Sequence, residues 1–254
     1  LVVGCVEYRG YYSRESAEAY AAELHRDGWE TFVAGIPAYS TLGYFDDPLL
    51  NTFIYLARAE VARMIFHELA HQILFVRGDT AFNESFAVTV ETVGVRRWLT
   101  AHPDAAMEYE RYDAHRRQFR QLVEGYRKRL ETLYDGSETN AQKIATKDAL
   151  FASMRADYER LKASWGGYKG FDLWFASHLN NAKIGSFATY NQWVPAFMAM
   201  LAEVHDDLPA FYAAVKTLSK RPEAERVAAL TALDSTPAAA AARDLLDKPL
   251  QARR

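Results

Sequence analysis

Val61-Ala-Arg-Met-Ile-Phe-His-Glu-Leu-Ala-His-Gln-Ile-Leu-Phe-Val76 is the stretch on which the fold turns. Ala62, Phe66, Leu69, Ile73 and Val76 recur at helical spacing as one apolar stripe, and Leu74 and Phe75 widen it. The spacing predicts a central helix beginning near Asn51 or Leu56 and ending near Val76. Glu60, Arg63, His67 and His71 gather on the opposite side. His67 and His71 stand four residues apart, one helical turn, so both rings can reach a single metal ion. Glu68 between them completes H-E-x-x-H, the pattern in which two histidines bind zinc and the glutamate serves as general base. A buried face with this many ionisable groups is costly without partners, and a metal would satisfy it.

Zinc in a catalytic site takes a third protein ligand and leaves a position for water. Twelve residues separate His71 from Glu84, which lies in Phe82-Asn-Glu-Ser-Phe-Ala87 at the start of the next predicted helix, Ala81 to about Leu99. Arg77-Gly78-Asp79 supplies the turn, with Asp79 or Thr80 as cap. Position alone leaves two readings of Glu84 open. It is a ligand brought back against the histidine face, or a carboxylate favoured near a helix N-terminus by the dipole. No third histidine follows in an H-x-x-G-x-x-H continuation, which argues against the three-histidine class.

The remainder of the chain reads as mostly helical, with a small sheet in front. Leu1–Tyr8 is apolar and β-branched, as in a buried strand. A helix follows from Ser13 to Gly28. Trp29–Ile36 reads as a second strand, and Ala38–Leu42 as a third, on an edge that tolerates Pro37. The expected order is β-α-β-β leading into the metal helix. His102-Pro103 opens a long charged helix to about Tyr134, and a second with Ile144, Phe151, Met154, Tyr158, Leu161 and Trp165 in register follows Asp135-Gly-Ser137. These predict an antiparallel hairpin with arms of roughly 40 Å. Beyond Gly166 an aromatic-rich Phe171–Asn181 leads to a helix over Ser186–Val204. Amphipathic helices over Leu208–Ser219 and Pro222–Leu233 come next, then an alanine-rich tail. The fold class is therefore α+β, mostly α. Its expected parts are a zincin-like catalytic part over 1–101, the hairpin over 102–165 and a C-terminal helical part over 166–254 that closes the site.

Composition excludes more than it assigns. The 254 residues are 50% hydrophobic and 25% charged, as in an ordinary globular protein. A formal net charge of −3 gives no reason to expect nucleic acid or a strongly anionic membrane. No apolar run approaches the roughly 18 residues of a membrane span. The single cysteine, Cys5, cannot form an internal disulfide. The first residues do not read as a signal peptide, and the chain begins at Leu1 rather than Met, which leaves an upstream targeting segment open.

His67-Glu-Leu-Ala-His71 followed by Asn83-Glu84-Ser-Phe-Ala87 resembles the gluzincins, whose third zinc ligand is a glutamate in N-E-x-x-A on the following helix. The chain resembles more closely the bacterial putative aminopeptidase family. That likeness lies in Gly35-Ile-Pro-Ala-Tyr-Ser-Thr-Leu-Gly-Tyr-Phe-Asp-Asp-Pro48, Ile65–His71, Gly78–Ala87, Leu179-Asn-Asn-Ala182, Ala188-Thr-Tyr190 and Val194-Pro-Ala-Phe197. The resemblance implies a zinc peptidase with one Zn2+ on His67, His71 and Glu84, and a preference for peptides with free N-termini. It also implies a bacterial source and, through the export signals members often carry, favours the cell envelope, with the cytoplasm as the alternative. In such a site Glu68 takes the proton of the attacking water and returns it to the leaving amine. Tyr190 is the expected donor to the oxyanion, with His178 in reserve and a packed aromatic as the plain alternative. Glu91, and less so Glu60, lie two turns from the ligands. Either could orient a ligand histidine or capture a substrate ammonium. Asn180 and Asn181 are candidates to bind substrate backbone, or else cap a helix, and the Tyr39–Leu42 strand is a candidate edge for an extended peptide. Two other functions fit the same motif: a zinc endopeptidase, and a metal-stabilised scaffold that uses the hairpin to bind a partner. Glu68 argues against the scaffold, because a structural zinc site has no use for a base.

Overall fold

The segment between Trp29 and Leu42 carries no β-ladder. A computed structural model of the protein describes residues 9–247, and among the described residues there is no strand. The expected α+β class is thereby corrected to an all-helical one. The first proposed strand, Leu1–Tyr8, lies outside the described residues. The aromatic and β-branched residues of the other two read as strands, but a strand exists only where a second one completes its hydrogen bonds. Side chains take that role here. The Thr31 carbonyl accepts from Asn180 Nδ2 at 2.9 Å, the Pro37 carbonyl from the Thr52 hydroxyl, and the Thr41 amide donates to Asp47 at 3.0 Å. Trp29, Val33, Ile36 and Tyr39 stay exposed.

Eleven α-helices run through the described residues in two compact units. The first unit takes the chain up to Gly35 and Ala114–Ala188. It contains α1 (Arg14–Arg26), capped by Ser13, whose hydroxyl accepts from the Ser16 amide. The long helices α4 (Ala106–Asp135, from Ala114 onward in this unit) and α5 (Asn140–Ser164) form the expected hairpin. They run antiparallel, as the Lys143–Tyr134, Asp157–Tyr126 and Trp165–Gln118 hydrogen bonds show. Phe119, Val123, Tyr126, Leu130, Phe151, Met154 and Tyr158 form its core, joined by Phe175 of the short α6 (Asp172–Ala176) and by Ile184 at the start of α7 (Asn181–Asn191).

The second unit takes Ile36–Asp113 and the chain from Thr189 onward. It holds α2 (Arg58–Ile73), α3 (Thr80–Ala101) and α8 (Val194–Glu203), then α9 (Leu208–Ser219), α10 (Glu223–Asp234) and α11 (Pro237–Asp247). The helix expected over Ser186–Val204 is two helices. The chain breaks between Asn191 and Val194, and Pro195 opens α8, where its missing amide costs nothing. Helix α8 packs against α3, α9, α10 and α11. Helix α3 is buried on two sides. Phe82, Phe86, Ala87 and Val90 pack on Phe197, Phe211 and Val215, while another face lies along α2. That explains why α3 is apolar around most of its circumference and why its polar residues stand out. No helix of the described residues is long and apolar enough to cross a membrane.

Candidate metal centre

Helices α2 and α3 are antiparallel, joined by the turn Leu74–Asp79, and three devices set how they face each other. Gly78 takes φ +81°, which only glycine adopts without strain, and lets the chain reverse. The buried Asn83 side chain bonds both polar groups of one peptide-chain residue: its Oδ1 accepts from the Val76 amide at 2.8 Å and its Nδ2 donates to the Val76 carbonyl at 2.7 Å. Asp79 caps α3 by accepting from the Phe82 amide at 3.1 Å, and is itself held by the buried Arg226 at 2.6 and 3.0 Å. Further along, Gly94 of α3 lies against the Phe66 ring. A Cβ there would stand 2.7 Å from Phe66 Cγ, so the absence of a side chain lets the helices approach.

This register brings Glu84 to the histidines. Glu84 Oε2 is 3.2 Å from His67 Nε2 and 3.9 Å from His71 Nε2, and one donor atom from each of the three lies within 4.8 Å of the others. The two rings meet edge to face, centroids 5.0 Å apart. Donors placed about 2.0–2.2 Å from a tetrahedral zinc are separated from one another by roughly 3.3–3.6 Å, close to what these side chains show. Glu84 Oε2 is buried without a hydrogen-bond partner in the protein, an arrangement that is unfavourable unless something else completes it. Two imidazoles and a carboxylate are also the donor types that zinc takes in hydrolytic sites. The residues present fit a divalent cation.

Glu91 lies directly behind His67. Its Oε2 is 2.9 Å from His67 Nδ1, and its Oε1 accepts from Arg63 Nη1 at 2.7 Å; Arg63 Nε in turn donates to Glu60 at 3.2 Å. Both Glu91 oxygens are therefore engaged by groups of the protein, and only 7% of the residue is exposed. Burial alone would push the Glu91 carboxyl up, but the Arg63 guanidinium and the His67 ring hold it down to about 2. Burial likewise works against a charge on His67, yet the Glu84 and Glu91 carboxylates beside it raise it to about 10. His71 moves the other way, to about 4, pushed by burial and by the charge on His67. Glu68 has no hydrogen bond or ion pair among the described residues. Its pKa is raised, chiefly by burial, with Glu84 and Asp47 adding to the effect and His67 opposing it.

The other predicted residues are distributed between the units. Tyr190 is half-buried at the end of α7, within the second unit. Three residues later, the Trp193 amide donates to the buried hydroxyl of Ser85, the neighbour of Glu84, at 3.0 Å. His178 is exposed in the first unit. Asn181 is also there, its side chain on the Tyr134 hydroxyl at 2.7 and 3.0 Å and its amide on Glu30 at 2.7 Å. Asn180 caps α7, accepting from the Lys183 amide at 2.9 Å. Sequence reasoning assigned no roles to Arg63, Asn83 or Gly94. A signal for Arg63 was present: it stands one turn before His67 on the same face of α2.

A family model described as "Putative aminopeptidase" matches residues 1–230 of the chain. No curated protein and no solved structure gives a significant match.

Proposed function

Since the chain belongs to the putative aminopeptidase family, we propose that it is a zinc-dependent peptidase acting on peptides with free N-termini, with its chemistry at the α2–α3 face. The convergence of His67, His71 and Glu84 around a buried, unpartnered carboxylate oxygen carries this reading. His67 and His71 would hold the ion through Nε2 and Glu84 through its carboxylate. When bound, zinc supplies Lewis acidity, making a water nucleophilic near neutral pH and polarising the scissile carbonyl.

The chain's own groups do the rest. Glu68, whose carboxylate makes no ion pair among the described residues, is the base that takes the proton of the attacking water. Its pKa, raised by burial, favours handing that proton on to the leaving amine. Glu91 keeps the proton on His67 Nδ1 and so leaves Nε2 free to bind. Tyr190 donates a hydrogen bond to the oxyanion, a role supported by the tie between its segment and Ser85, beside Glu84. The acceptor of the substrate ammonium is not Glu91 on this reading, because both its oxygens are occupied.

The test is hydrolysis of a panel of peptides, each with a free and an acetylated N-terminus, by protein loaded with one equivalent of zinc. Release of single residues from the free peptides alone supports the aminopeptidase assignment. Internal cleavage of both sets would make the protein an endopeptidase, and a zinc-loaded protein that cuts neither set would overturn the peptidase reading.

A further inference from the structure

Arg63 is more than a neighbour of the cluster. It stands four residues before His67, so their side chains share a face of α2. Its guanidinium divides between two carboxylates: Nη1 meets Glu91 Oε1 at 2.7 Å and Nε meets Glu60 Oε2 at 3.2 Å. Glu91 uses its other oxygen, Oε2, on His67 Nδ1 at 2.9 Å. The carboxylate is thus held at both oxygens and cannot rotate without breaking one bond. A carboxylate fixed in this way fixes the plane and tautomer of the ring it contacts, and hence the direction in which Nε2 points, here toward Glu84.

His71 lacks the equivalent support. Its Nδ1 is buried with no hydrogen-bond partner in the protein. The aim of the donor set therefore depends on one chain of contacts, Glu60–Arg63–Glu91–His67. A buried ion pair is in general a weak source of stability, and an apolar pair of similar volume would join α2 to α3 as well or better. What an apolar pair cannot do is hold a carboxylate by two edges. A lysine cannot do it fully either, since an ammonium on a flexible stem lacks the planar fork that spans two acceptors.

We infer that Arg63 is a positioning residue for zinc, setting the ion's retention through Glu91 and His67. The inference rests on the zinc reading above and extends it to a residue that touches neither metal nor substrate.

The experiment measures zinc dissociation constants for the full chain by competition with a chromophoric chelator. It compares wild type, Arg63→Met, Arg63→Lys, Glu91→Gln and the Arg63→Met/Glu91→Gln double variant. Thermal melts of the chelator-stripped proteins report folding separately. Wild type should bind one zinc, and Arg63→Met should bind it about 10- to 100-fold more weakly, the usual effect of losing an outer-shell partner. Arg63→Lys should recover part of that loss. The double variant should bind no more weakly than Glu91→Gln alone, because Arg63 acts only through Glu91. A role confined to stability would lower the melting temperature without this non-additive pattern in affinity. Should Arg63→Met fail to fold, Arg63→Lys and Glu91→Gln still decide the matter, with a loss expected for each. Wild-type affinity in every folded variant, or losses that simply add, would overturn the inference while leaving the zinc reading intact. A wild type that binds no zinc would overturn both.

Discussion

Replacing Gly94 by alanine tests whether the close approach of α2 and α3 is what assembles the site. The added Cβ would lie 2.7, 2.8 and 3.1 Å from Cγ, Cδ2 and Cδ1 of Phe66, against the roughly 3.5–4.0 Å of an ordinary carbon contact. The atoms struck include the root of a ring packed with Val95 and Leu99, so relief requires about 0.8 Å of movement of the ring or of the helix. Alanine returns about 1 kcal/mol of helix propensity, while overpacking costs about 1–3 kcal/mol. The net expectation is a fold weakened by roughly 0–2 kcal/mol. The site is less tolerant. Phe66 adjoins His67, and Gly94 follows Glu91 by one turn, so the same displacement would stretch their 2.9 Å bond past hydrogen-bonding range. Zinc binding should weaken about tenfold, out of proportion to the change in stability. Urea unfolding of the chelator-stripped protein, paired with a chelator competition for zinc, reads both quantities. A variant that unfolds at the wild-type urea concentration or higher, and binds zinc equally well, would refute the reasoning.

Three further outcomes follow from the same geometry. In chelator-stripped protein His67 is raised from 6.5 to about 10, so its stabilising charge is fully present below pH 6.5 and lost as pH rises through 10. The loss, at most about 4 kcal/mol, should appear as a urea midpoint that falls between pH 6.5 and 9.5, and His67→Asn should flatten it. Because zinc must displace that proton, its affinity should rise over the same range, about tenfold per pH unit, and a flat profile would show that His67 is not a ligand. Asp79→Ala removes the cap of α3 and strands the buried Arg226, an expected loss of about 3–5 kcal/mol in chemical unfolding; a loss under about 1 kcal/mol would show that the pair does not hold α3 in place.

Helices α1 to α5 were legible because each carries a local signal. Ser13 and Asp79 are side-chain caps, Gly78 turns the chain between α2 and α3, and the apolar spacing of α4 and α5 marks a shared seam. The convergence of His67, His71 and Glu84 was legible for the same reason, since His67 and His71 share a helix and Glu84 follows a turn too short to carry it elsewhere. The sheet was misread because a strand is a non-local object. Trp29–Ile36 has the residues of a strand, but its carbonyls and those of its neighbours are met by Asn180 and Thr52, at positions no local pattern announces. Pro195 suits a kinked helix or the first turn of a new one, and the choice falls with the packing of α8 against α3, α9, α10 and α11. The roles of Arg63, Asn83 and Gly94 depend on the register between α2 and α3. That register exists only once the Val76–Asn83 bonds and the Phe66–Gly94 contact are made.

The most direct measurement of the central claim compares zinc content and peptide hydrolysis in wild type and Glu68→Gln. Glu68 is not a ligand in this account, so the variant should hold one zinc per chain, as wild type does, and lose nearly all hydrolysis of peptides with free N-termini. A variant that retains hydrolysis, or a wild type that holds no zinc, would contradict it.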